Sequence, residues 1–226
     1  MKKPLIRFDI LTIFPSAFSY LNTSILKKAQ DKNLIEIKIW NLRDFAFDKR
    51  KKVDDRPFGG GPGMVLKIEP IYYALEKIKK NYRTRKRKII LTDLKGIKFN
   101  QKLAQKLSKE KNLIIICGHY EGVDERVNKF VDLKISVGPY VLTGGELPAM
   151  IIVDAVSRFI PGVLHNVNSL EKIEDNKILS YPVYTRPRVF ITKDKKKLKV
   201  PDVLISGNHK KIEEWKEKHK KEIDIN

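Results

Sequence analysis

Short apolar runs rich in β-branched and aromatic residues, separated by helix-like stripes, constrain this chain of 226 residues more than any other feature. Residues 5–14 form the first run, and Pro15 opens a helical turn in which Phe18, Leu21 and Ile25 follow Phe14 at helical spacing. Ile35, Ile37 and Ile39 alternate with Glu36 and Lys38, which predicts a half-buried strand ending near Trp40. Residues 64–66 predict a short strand, and Ile71, Leu75 and Ile78 stripe a helix opened by Glu69-Pro70. Then come a strand at 89–91, a helix from Asn100 carrying Leu103 and Leu107, and a strand at 113–117. Strands alternating with helices predict an α/β fold: a parallel sheet with flanking helices and ligand loops beyond the carboxyl ends of its strands.

Residues 148–156 are apolar on nearly every side except Asp154, so this helix is expected in the core or against another subunit. Pro161-Gly162 stops it. From Val163 to Tyr181 periodicity fades and polar residues crowd in, which reads as a linker between a domain at 1–162 and a small region at 182–226. That last region predicts a helix with Ile212, Trp215 and His219 on one face.

Lys and Arg number 47 against 27 Asp and Glu, a net charge of +20 that repels itself unless a polyanion or counterions offset it. Nucleic acid is the first partner this implies; the plainer reading is a lysine-decorated surface. A single cysteine, Cys117, excludes an internal disulfide framework and a Cys-rich zinc site, and fits the cytoplasm. Arg7 and Asp9 interrupt the apolar run after Met1-Lys2-Lys3, unlike a signal peptide, and no apolar stretch approaches the ~20 residues of a membrane span.

Three loops concentrate the chemistry. Asp54-Asp55-Arg56-Pro57-Phe58-Gly59-Gly60-Gly61-Pro62-Gly63 lacks the Gly-Lys-Ser/Thr of a phosphate loop, yet two carboxylates beside a guanidinium suit a polar base or phosphate. Cys117-Gly118-His119-Tyr120-Glu121-Gly122 follows an apolar strand, where a ligand loop belongs. Gly118 ends that strand, which disfavours a Cys117/His119 nucleophile pair and leaves Cys117 as a buried strand-end residue. Val137-Gly138-Pro139-Tyr140-Val141-Leu142-Thr143-Gly144-Gly145 offers exposed amides and carbonyls that can hold an adenine-like ring between apolar walls.

These loops, with Ser157-Arg158-Phe159-Ile160-Pro161-Gly162, Tyr184-Thr185-Arg186-Pro187 and Ile205-Ser206-Gly207-Asn208-His209 in order, resemble the bacterial tRNA (guanine-N1)-methyltransferases of the SPOUT superfamily. The resemblance covers almost the whole chain. It implies a deep trefoil knot, a small mainly helical C-terminal domain at 182–226 and a homodimer with its active site between subunits. The implied reaction moves a methyl group from S-adenosylmethionine to N1 of the tRNA guanosine immediately 3′ of the anticodon.

The same resemblance assigns residues. Gly118, Val137, Gly138, Pro139, Tyr140, Val141 and Leu142 would line the S-adenosylmethionine site, with Gly144 and Gly145 close by and Glu121 near the donor's charged end. Thr92-Asp93-Leu94-Lys95-Gly96 stands where another cofactor loop is expected but lacks its proline, so no site residue is taken from it. Arg158 matches the arginine that would stabilise charge on guanine O6; by itself it reads as a cation at a helix carboxyl end, worth about 0.3–1 kcal/mol. Asp175 is the nearest match to the family's general base, with Glu174 and Glu171 as alternatives. Asp54 and Arg56 would contact the guanine or its neighbours, and Arg83, Arg85, Lys86, Arg87 and Lys88 would meet tRNA phosphates. The resemblance also brings in magnesium as a candidate cofactor, for which the sequence shows no metal-ligand cluster. The competing readings are another SPOUT RNA methyltransferase with a different acceptor, a non-catalytic RNA-binding protein, and a purely structural assembly protein.

Overall fold

The computed structural model describes residues 3–81, 86–164, 173–174 and 177–224, with the backbone alone at 173–174, 177–180 and 221–224. They fall into two compact units that divide between His165 and Asn166.

The first unit runs β1 (Ile6–Thr12), a 3-10 segment (Pro15–Asn22), α1 (Ser24–Asp31), β2 (Ile35–Asn41), β3 (Asp54–Asp55), β4 (Val65–Leu66), α2 (Ile68–Asn81), β5 (Arg87–Lys98), α3 (Gln101–Leu107), β6 (Asn112–Cys117), β7 (Leu133–Ser136) and α4 (Glu146–Ser157). Five strands form one sheet in the order β2-β1-β6-β5-β7, and every neighbouring pair is parallel. The apolar runs follow from that position. Successive side chains on a strand face opposite ways, and here both faces are covered. Ile6, Phe8 and Ile10 of β1 and Leu113, Ile115 and Cys117 of β6 pack on one side with Leu26, Ala29, Ala104, Leu107 and Val156. Leu11, Ile114 and Ile116 pack on the other with Ile71, Ala74, Leu75 and Ile78 of α2.

Three local features depart from the periodicity. The helix expected from Pro15 is a 3-10 segment, and α1 begins only at Ser24. Thr23 separates them in extended conformation, its hydroxyl donating to the Tyr20 carbonyl at 2.7 Å, as short polar side chains do when they compete with the helical ladder. The strand expected at 89–91 extends to Lys98 through an irregularity: Thr92 and Ile97 both register with Ile135, so the intervening residues bulge out. A Cβ on Gly96 would sit 2.5 Å from the Ile135 nitrogen, which is why glycine stands there. Finally, β7 was too short and too polar to announce itself in the sequence.

The second unit contains β8 (Ile173–Glu174), β9 (Lys177–Ser180), β10 (Val189–Ile191), β11 (Lys197–Lys199), a 3-10 turn (Asp202–Ile205), α5 (His209–Lys218) and β12 (Lys221–Asp224). Strands β12, β9 and β8 form one antiparallel sheet, and β10 with β11 form a hairpin. Over 182–226, where a mainly helical domain was expected, the described residues hold α5 and the 3-10 turn together with β10, β11 and β12, so helix and short strands are mixed. Lysine-rich composition hid the hairpin, whose turn at 192–196 is part of the basic run. Within α5, Asn208 caps the amino end by accepting from the Lys211 amide at 3.1 Å. Trp215 and His219 share a face as expected and stack with ring centroids 4.0 Å apart. The stretch read as a linker, 163–181, includes β8 and β9.

Candidate active site

The bulge of β5 and the carboxyl ends of β6 and β7 open into one cavity of about 390 Å³, the position at which an α/β sheet presents its ligand loops. Cross-ties hold the three loops together. The Thr92 hydroxyl donates to the Ile116 carbonyl at 3.2 Å and accepts from the Gly118 amide at 3.3 Å. The Gly145 amide donates to the Gly118 carbonyl at 2.7 Å, and His119 pairs with Gly144 as an isolated antiparallel bridge. Loop 118–122 is also fastened to β4, since the Glu121 amide donates to Met64 O and the Leu66 amide to Gly122 O, both at 3.0 Å.

Gly118, Glu121, Val137, Gly138, Tyr140, Val141, Leu142, Gly144 and Gly145 all line this cavity. Pro139 does not; it is exposed beside it. The cavity also takes in Thr92, Asp93, Leu94 and Lys95, from the segment whose missing proline kept it out of the predicted site, and Leu91 before it; the signal that could have found them is their place after an apolar run. Glycines keep the space open. A Cβ on Gly138 would overlap the Tyr140 ring, and one on Gly145 would overlap Thr92 Oγ1 and lie 2.8 Å from both Cys117 Cα and Gly118 N. Gly145 has φ −83°, which any residue adopts, so Gly145→Ala tests crowding alone. We expect donor affinity to fall at least about tenfold and the melting temperature to drop by about 3–10 °C, for an overpacking cost of about 1–3 kcal/mol. Calorimetric titration and thermal melting measure both.

Around the cavity the electrostatics are specific. Glu121 is exposed, and its side chain lies where a Cβ on Gly63 would come within 2.6 Å, so the glycine-rich loop seats this carboxylate. Burial, helped by the nearby Glu146 carboxylate, pushes the Cys117 thiol well above its ordinary value. It stays a neutral thiol at the end of β6, as its sequence context indicated, and is no nucleophile.

The remaining candidates lie elsewhere. Asp54 sits half-buried in β3, paired with Leu66 of β4, and Arg56 follows it exposed, its amide bound by the Asp55 carboxylate at 2.9 Å. Arg158 is the C-cap of α4 and borders a separate cavity of about 230 Å³ with Tyr20, Ser24, Asp154 and Ser157. There the Tyr20 hydroxyl donates to Asp154 at 2.7 Å, a bond that raises the tyrosine's pKa. Within one chain, Arg158, Asp54 and Arg56 do not line the main cavity. Asp175, Glu171, Arg83 and Arg85 lie outside the described residues, and Glu174 is described by its backbone in β8. Among the described residues no helix is long and apolar enough to cross a membrane, and no three His, Cys, Asp or Glu side chains cluster to hold a metal.

Comparison with known proteins fits this arrangement. Residues 6–224 match the family described as tRNA (Guanine-1)-methyltransferase TrmD. The chain is 54% identical over 216 residues to the tRNA (guanine-N(1)-)-methyltransferase of Dictyoglomus turgidum, covering 95% of this chain and 84% of that one. It is 50% identical to the protein of the same name from Clostridioides difficile, covering 93% and 90%. The crystal structure of tRNA (m1G37) methyltransferase from Aquifex aeolicus superposes with a TM-score of 0.79 at 47% identity, covering 96% of this chain and 89% of its own. With loops, sheet and sequence in agreement over nearly its whole length, the chain belongs to the tRNA (guanine-N1)-methyltransferase family.

Proposed function

We propose that this protein transfers a methyl group from S-adenosylmethionine to N1 of the guanosine immediately 3′ of the anticodon in tRNA, the position that the Aquifex aeolicus structure's name gives as 37. The observation that carries the reading is the cavity at the bulge of β5 and the ends of β6 and β7, on a chain of this family. Its volume of about 390 Å³ lies within the roughly 300–1,000 Å³ usual for small-molecule sites. The fit is chemical as well. Gly118, Gly138, Gly144 and Gly145 bring bare backbone to the wall where a purine edge would lie, and Tyr140, Val141 and Leu142 supply apolar walls. When bound, S-adenosylmethionine supplies an electrophilic methyl on a positively charged sulfur.

The protein's own groups complete the chemistry. Guanine N1 carries a proton and is a poor nucleophile until that proton leaves, so Asp175 accepts it as general base. The negative charge left on the base spreads to O6, where the Arg158 guanidinium donates hydrogen bonds that strengthen as charge develops. Glu121, seated on Gly63, places a carboxylate beside the donor's cationic end. Asp54 and Arg56 contact the target base or its neighbours. Magnesium is assigned no residue in this scheme.

Arg158 and the main cavity are brought together by a second copy of the chain. Supporting this, Leu147 and Ile151 of α4 are 56% and 44% exposed, beside exposed Phe14, Tyr20 and Ile25, an apolar surface of the kind homodimers bury. We read the cavity as the pocket of a trefoil knot, because the loop after β7 returns past the end of β5 to bond with Gly118 after β6. The methyltransferase domain is assigned to 1–162, the connector to 163–181 and the tRNA-binding region to 182–226, with the protein acting in the cytoplasm.

Purified protein, labelled methyl donor and unmodified tRNA bearing guanine or adenine at the acceptor position test the reading. Label on guanine N1 alone is expected; label on ribose, or on neither base, would contradict it. The +20 charge adds a second test. Affinity for tRNA is expected to fall about 10²–10³-fold between about 50 and 200 mM salt, as for about four to six neutralised phosphates. A flat response in a filter-binding titration would refute the polyanion reading.

A further inference from the structure

One group of side chains beside the cavity has no part in the reaction above. Glu146, the first residue of α4, is 8% exposed, and its Oε1 accepts the Thr12 hydroxyl at 2.8 Å. Thr12 Oγ1 in turn accepts from the Phe14 amide at 2.9 Å. The second carboxylate oxygen, Oε2, faces His119 Nδ1 across 4.0 Å. That nitrogen is buried and has no hydrogen-bond partner among the described residues. The imidazole is held between the rings of Phe14 and Tyr120, whose centroids lie 5.0 and 4.6 Å away, both edge-to-face. A Cβ on Gly144 would overlap both His119 Nδ1 and Glu146 Oε2, so only glycine leaves the two groups facing each other.

Buried polar groups are nearly always satisfied, and an unsatisfied one is costly. Here a donor-capable nitrogen with no partner among the described residues faces a carboxylate oxygen 4.0 Å away. We infer that His119 is a positioning residue for the methyl donor: its Nδ1–H donates to Glu146 Oε2, and the bond ties the loop carrying Glu121 to the start of α4. The inference rests on the reading of the cavity as the donor site. His119 and Gly144 both line that cavity, so the bond sets the separation of two of its walls. Thr12, by holding Oε1, anchors the carboxylate to the end of β1.

The chemistry of the two imidazole nitrogens supplies the test. An asparagine amide nitrogen falls near the place of Nδ1, and a glutamine amide nitrogen near that of Nε2. Calorimetric titration of S-adenosylmethionine into the full chain is expected to show His119→Gln weakened about ten- to hundredfold, while His119→Asn regains most of that loss. Glu146→Gln repeats the test from the other side of the pair. It is expected to weaken binding similarly, and His119→Gln combined with Glu146→Gln should lose little more than either alone. Equal affinities for the Asn and Gln variants, or losses that simply add in the double variant, would overturn the pair. A parent protein that takes up no S-adenosylmethionine would instead overturn the donor reading itself.

Discussion

Asp175→Ala is expected to lower the rate of methyl transfer by about 10²–10⁴-fold, the range for loss of a positioned general base, while affinity for S-adenosylmethionine stays close to that of the parent. The separation follows from the proposed roles. The cavity that would hold the donor is built from the bulge of β5 and the loops after β6 and β7, whereas residue 175 acts on the guanine proton. Single-turnover assays with labelled donor measure the rate, and calorimetry measures the affinity. The same rates on Glu174→Ala and Glu171→Ala decide between the three carboxylates. A near-parental rate for Asp175→Ala with a large loss in one of the others would move the base to that residue.

Asp9→Ala is expected to cost about 3–5 kcal/mol of stability, because it breaks a buried charge network from one side. Asp9 is fully buried in β1, between β2 and β6. Its carboxylate accepts two hydrogen bonds from Arg7 at 2.8 Å, one from Trp40 Nε1 at 2.7 Å and one from Asn112 Nδ2 at 2.8 Å. Arg7 continues to Glu36 of β2 at 2.8 Å, so the network links β1 to both of its neighbours. Removing the carboxylate strands the indole and amide donors and leaves the guanidinium with half its anionic partners. For a urea slope of about 2 kcal/mol/M the unfolding midpoint should fall by about 1.5–2.5 M. A shift below about 0.3 M would mean the network contributes almost nothing.

That network also marks where reading the sequence runs out. Arg7 and Asp9 stood out only as breaks in an apolar run. Their partners Glu36, Trp40 and Asn112 lie on other strands, 29 to 105 positions away, and no local pattern announces such a pairing. The His119–Glu146 pair was hidden in the same way, since the two meet only because the loop after β7 returns to β6. What could be read was whatever backbone geometry dictates nearby. Isoleucine-rich runs marked β1 and β6 because both faces of a parallel sheet are buried. Glycine clusters after such runs marked loops 118–122 and 137–145, which the structure gathers around one cavity. The bulge of β5 escaped for lack of a proline, and β7 because four residues with a lysine among them carry no usable periodicity. In the second unit, lysines dominate so thoroughly that short strands and turns look alike.

A crystal soaked with S-adenosylmethionine decides whether these three segments grip the methyl donor. Density for the adenosyl group is expected against Gly138, Tyr140 and Gly145, with the methionine end towards Glu121. Density for the donor elsewhere on the molecule, with Gly118, Gly138 and Gly145 facing only solvent at saturating donor, would contradict it.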